Sequence, residues 1–224
     1  MTTNEELERN LLKLFSPFSG KPKEDYLFEK IDGDQLTIKE TEASGKMEVT
    51  FKNGCFTRFN EKMLGTNKFI GFFNKQDGAI IRRICDGIFL VNSNKQVVLC
   101  LVELKKNINN NFEWILKQIE GSYLKITMLL SLLCSVKDIG LAVFIAGKLE
   151  KIGDDPDIDY LEKTGEFRES SINPEAKLKE FSLHGEVRMN FPFFLEKTIH
   201  VNYQRKDIGV FHLKDGETFD MRNL

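Results

Sequence analysis

Apolar residues recur at helical spacing in TNEELERNLLKLF (residues 3–15), with Thr3 and Asn4 as caps, and predict a first helix. DQLTIKE and KMEVTFKNG alternate apolar and polar positions and predict a strand pair turning near Ser44 and Gly45. Residues 60–80 mix glycine, lysine and phenylalanine without a clear period. IRRICDGIFLV and QVVLCLVELKK then read as two apolar strands joined by the polar reversal NSNK. After NINNN, the run FEWILKQIEGSYLKITMLLSLLCSV predicts one long helix, apolar most of the way round in its second half. GLAVFIAG is a short continuous apolar run suited to a buried strand. FSLHGEVRMNF, TIHVNYQ and GVFHLKDGETFDM finish the chain with strand-like alternation.

The order strand, strand, long helix, strand predicts an α/β (mixed α+β) fold: a central mixed β-sheet flanked by helices, with additional C-terminal β-strands. A chain of 224 residues that is 41 % hydrophobic can bury one sizeable core, so a single domain is expected over 1–224. Within it we expect a core at about 25–150, an acidic connector at about 151–180 and a β-rich extension at about 181–224. Charge supports that division. Residues 46–106 hold 11 Lys/Arg against 5 Asp/Glu, whereas 151–180 hold 5 against 9. The net charge of −2 argues against non-specific coating of nucleic acid but is compatible with a local basic groove.

No apolar run reaches the ~20 residues that span a bilayer, and the acidic N-terminal stretch does not read as a secretory signal. The four cysteines, Cys55, Cys85, Cys100 and Cys134, form no C-x-x-C pair and read as reduced thiols. A cytoplasmic setting away from membranes is expected.

Two carboxylates and an ammonium sit inside the apolar pair at 85–107, where a lone ionised carboxylate costs several kcal/mol to bury. With NSNK as a four-residue loop, Val91 pairs with Gln96, Asp86 lies opposite Leu101, and Glu103 lies opposite Ile84. Asp86, Glu103 and Lys105 then project from one face, the two acids as diagonal neighbours roughly 7 Å apart at Cβ. A divalent cation removes the objection to burying both acids. Carboxylate oxygens with retained water suit Mg²⁺, and the Leu104 carbonyl could add a third protein oxygen. Lys105 could then orient a water or help deprotonate it. The parts suit metal-assisted attack on a phosphodiester. The same residues also fit a solvated edge-strand ion pair, Glu103 with Lys105 or Arg82.

The spacing D-x16-E-x-K resembles the active site of the PD-(D/E)XK nuclease superfamily over roughly residues 82–147. That resemblance implies a restriction-endonuclease-like core, Asp86 and Glu103 as ligands of Mg²⁺ (with Mn²⁺ as substitute), and Lys105 as the catalytic lysine. It implies hydrolysis of double-stranded DNA, often by a homodimer, in restriction, other defence or a larger defence or repair complex. Cys85 stands where the family name has proline. Tyr123 follows Gln118 by five residues, where the exonuclease branch has four. Gln118 and Glu29, the latter as a helix-borne acid, are accessory candidates. Lys68, Lys75, Arg82 and Arg83, interleaved with phenylalanines, are candidate nucleic-acid contacts, although a strand with core phenylalanines and solvated lysines explains them at least as well. A non-catalytic nucleic-acid- or protein-binding module on the same fold, or a nuclease subunit active only within a larger complex, are the alternative readings.

Overall fold

The computed structural model describes residues 6, 7, 9–11, 27–40, 46–65, 83–93, 96–133, 139–149 and 208–224. Nine strands fall in this part of the chain: β1 (Phe28–Lys30), β2 (Gln35–Glu40), β3 (Met47–Lys52), β4 (Phe56–Phe59), β5 (Gly87–Ser93), β6 (Gln96–Asn107), β7 (Ile139–Lys148), β8 (Ile208–Leu213) and β9 (Thr218–Asp220). Two helices join them, α1 (Glu61–Gly65) and the 19-residue α2 (Phe112–Leu130). Residues 6, 7 and 9–11 are helical, as their spacing predicts.

The fold is mixed α/β. A six-stranded sheet has the order β1-β4-β5-β6-β7-β8, and a three-stranded sheet the order β2-β3-β9. From β1 to β6 neighbours are antiparallel; β6, β7 and β8 are parallel. Helix α2 makes the crossover between parallel β6 and β7, as a parallel connection requires.

β6 is buried on both faces, and its alternation sorts two cores. Val97, Leu99 and Leu101 face α2 and pack with Ile115, Ile119 and Ile126. Val98, Cys100, Val102 and Leu104 face the second sheet and join Ile38, Val49, Phe51, Phe89 and Phe144. Phe51 is the centre of that layer, 5.0 Å from Phe89 and 4.9 Å from Phe144 between ring centroids. Glu103 continues the series that faces the helix, the one acid in it.

The sequence misses β1, β4 and α1, each of five residues or fewer and too short to declare a period. The C-terminal strands at 208–224 are built into both sheets: β8 extends the large sheet beside β7, and β9 pairs with β3. Residues 151–207, with the predicted connector and the strands near FSLHGEVRMNF and TIHVNYQ, lie outside the described residues. Among the described residues no helix is long and apolar enough to cross a membrane.

Candidate active site

The reversal between β5 and β6 is shorter than the NSNK loop implies. Val91 pairs with Val98, Ser93 with Gln96 and Gly87 with Val102, leaving two residues in the turn. Against the expected register this is a shift of two, so every residue keeps its face. Asp86, the residue before β5, comes level with Glu103 instead of Leu101.

Residues 103–107 of β6 run past its last β5 partner, and Asp86 closes the gap. Its carboxylate Oδ2 accepts the Leu104 N–H at 2.8 Å. The carbonyl of a strand residue leaves on the same side as its N–H, so the Leu104 carbonyl opens toward Asp86 while its side chain is buried in the second core.

Glu103 is fully buried. Lys105 Nζ lies 2.8 Å from its Oε1 as an ion pair, and Oε2 has no hydrogen-bond partner among the described residues. Burial, and next the charge of Asp86, push the Glu103 carboxyl well above its ordinary value and outweigh the attraction of Lys105. Burial pulls Lys105 down, but attraction to Glu103, Asp86 and Glu40 wins and holds its proton more tightly than usual. Burial likewise pushes the Cys85 thiol up, leaving it an inert neighbour.

Sequence reasoning overlooks Glu40. It ends β2 in the second sheet, and its Oε1 lies 3.7 Å from Lys105 Nζ. Lys105 thus bridges an acid from each layer. Gly87 makes this possible, because a Cβ there would come within 2.8 Å of Ile38, two residues before Glu40. The glycine following Asp86 is the one sequence signal of that close approach.

The other candidates separate. Glu29 sits on β1, not on a helix, is exposed, and pairs with Arg58. With β4 and β5 between β1 and β6, Glu29 is roughly 14 Å across the sheet from β6 and is not part of the cluster. Gln118 lies on α2 and donates to the Ile84 carbonyl at 3.0 Å, behind Asp86. Arg83 lays its guanidinium over the Trp114 ring, 3.4 Å from the centroid. Lys68, Lys75 and Arg82 lie outside the described residues.

Among the described residues no three His, Cys, Asp or Glu side chains form a ready-made metal cage. Mg²⁺ in general needs fewer protein ligands, one or two carboxylates completed by water and substrate oxygens. The donor set passes the test of fit on one point above all: among the described residues the buried Glu103 carboxylate meets only the Lys105 ammonium, at Oε1, while Oε2 has no hydrogen-bond partner, and an unmet buried carboxylate oxygen beside a second acid is costly.

A pH test follows. Without a cation, the folded state favours protonated Glu103, so its contribution to stability is greatest below the ordinary 4.5 and declines as pH rises toward the folded value. Added Mg²⁺ should stabilise the fold, and so raise its melting temperature, increasingly as pH increases, the stabilisation approaching about 2.7 kcal/mol at a hundredfold excess over Kd. Melting curves with and without Mg²⁺ across that range check it; a Mg²⁺ shift that shrinks with rising pH contradicts the assignment.

No family model, no curated protein and no solved structure matches this chain.

Proposed function

We propose that this protein is a Mg²⁺-dependent nuclease that hydrolyses DNA phosphodiesters, with Asp86, Glu103 and Lys105 as its catalytic set. The observation that carries the reading is the fully buried Glu103 carboxylate, met by the Lys105 ammonium at one oxygen and by no hydrogen-bond donor among the described residues at the other, beside a second acid. Asp86 and Glu103 would hold the ion, with the Leu104 carbonyl as a third oxygen. Bound Mg²⁺ supplies an acidified water and neutralises charge on the phosphate.

The protein groups do the rest. Asp86 is held in place by the Leu104 N–H, so little reorganisation accompanies binding. Lys105, tightly protonated, is a charged donor that orients the water and meets a phosphate oxygen rather than a base that removes a proton. Glu40 gives that ammonium a second, longer contact, 3.7 Å against 2.8 Å to Glu103. The resemblance to PD-(D/E)XK enzymes supports cleavage that leaves 5′-phosphate and 3′-hydroxyl ends, by a homodimer.

Incubation with supercoiled plasmid should give nicked and linear products with Mg²⁺ or Mn²⁺ and none with EDTA. Cleavage that persists in EDTA removes the metal from the reading. Absence of cleavage with specific, saturable DNA binding would instead favour the binding module on the same site.

A further inference from the structure

Among the described residues four polar side chains are buried: Thr57, Glu103, Ser122 and Lys125. Two of them, Ser122 and Lys125, gather behind the start of β5 together with the half-buried Gln118. The segment Arg83–Ile84–Cys85 is not in a strand, so its backbone groups need partners from elsewhere. Helix α2 supplies them in order. Lys125 Nζ donates to the Arg83 carbonyl at 2.9 Å, Gln118 Nε2 donates to the Ile84 carbonyl at 3.0 Å, and Ser122 Oγ accepts the Cys85 N–H at 2.7 Å. Residues 118, 122 and 125 follow the i, i+4, i+7 spacing of one helical stripe. The next residue of the held segment is Asp86.

We propose that Lys125, with Gln118 and Ser122, is a positioning residue that fixes the Arg83–Cys85 backbone and so sets the affinity of the Asp86–Glu103 site for its divalent cation. The inference rests on the reading of Asp86 and Glu103 as cation ligands. A packing role alone does not account for a lysine here. A methionine would fill the same space without desolvating an ammonium, whose pKa burial drags down to about 8. What the lysine adds is a donor aimed at the backbone three residues before Asp86. A carboxylate ligand displaced by a fraction of an ångström loses affinity, and groups that orient metal ligands in this way contribute about 10–100-fold.

The chain has one tryptophan, Trp114, and its ring lies under Arg83, the first residue of the held segment. Its fluorescence is therefore a reporter of this backbone that needs no nucleic acid and no turnover. The test is Mn²⁺ titration of the full chain by calorimetry and by Trp114 fluorescence, for wild type, Lys125→Met, Lys125→Gln, Gln118→Leu and the solvent-facing Lys117→Ala, with melting curves for each. Wild type should bind with a change in fluorescence. Lys125→Met should weaken binding by about tenfold or more, a loss larger than any change in melting temperature from the unpaired Arg83 carbonyl accounts for. Lys125→Gln, which keeps an N–H donor, should recover part of the loss, and Lys117→Ala should match wild type.

Mn²⁺ affinity of folded Lys125→Met within about twofold of wild type overturns the inference and leaves the cation site standing. So does a loss that merely tracks lower stability, the mark of a structural role. Should Lys125→Met not fold, Gln118→Leu decides by the same criterion. Wild type that binds no Mn²⁺ removes the cation reading itself, and this inference with it.

Discussion

Glu103→Gln is expected to abolish Mg²⁺-dependent cleavage while leaving the fold intact. Glutamine matches the volume of the buried side chain but removes the charge that the cation needs. Orienting groups one step removed from a metal are already worth about 10–100-fold, so losing a ligand should cost more than ~100-fold in kcat/KM and most of the metal affinity. Stability should hold or rise, because the variant no longer desolvates a carboxylate next to Asp86. Lys105→Ala separates the roles. If Lys105 serves the reacting phosphate and not the ion, the variant keeps Mn²⁺ binding and loses kcat. Its removal also leaves Glu103 and Glu40 without their shared cation, so metal-free Lys105→Ala should be destabilised at neutral pH and regain stability on adding Mn²⁺. Calorimetric metal titration beside single-turnover cleavage reads both effects. Full activity in Glu103→Gln, or equal loss of metal binding and cleavage in Lys105→Ala, contradicts these assignments.

The two apolar strands, the long helix and the buried run after it were legible because each is long enough to show its period. The three candidate catalytic residues were legible for a different reason: an aspartate and an E-x-K unit inside runs that otherwise exclude charge are an energetic anomaly in the sequence itself. The exact register was not, since a two-residue and a four-residue reversal keep the same residues on the same face. Only parity was decided by the alternation. Glu40 could not be read, because nothing local in QLTIKE says that a second sheet stacks across Gly87. Glu29 was assigned to a helix because a three-residue edge strand carries no period of its own. Lys125 was hidden by its type: a lysine in an apolar helix reads as a solvated face until the structure places it under the Arg83 carbonyl.

Gly147→Ala should be the most damaging single methyl in the described part of the protein. Gly147 holds φ at +149°, and a Cβ there would sit 1.8 Å from the Lys105 carbonyl oxygen, a backbone atom that no rotamer change can move. This is where β6 and β7 lose register, between Leu104 and Asn107, and where the Gly147 carbonyl meets His212 Nε2 at 2.9 Å. Relief requires the end of β6 to part from β7, carrying Glu103 and Lys105 with it. The strained φ alone costs about 1–3 kcal/mol for a residue with a Cβ, and the collision adds to it, so a loss of about 4 kcal/mol or more is expected. Two other glycines calibrate the result. Gly216, at φ +75° with nothing within 4 Å of a Cβ, isolates the conformational part, and Gly216→Ala should cost only about 1 kcal/mol. At Gly87 the obstacle is the Ile38 side chain, so Gly87→Ala should be partly rescued by Ile38→Ala, whereas no side-chain truncation should rescue Gly147→Ala. Denaturant unfolding of the three single variants and the double variant gives the ranking. A Gly147→Ala protein as stable as Gly216→Ala would mean that β6 and β7 do not approach each other at Lys105 as described, and the placement of the lysine beside Glu103 would fall with that contact.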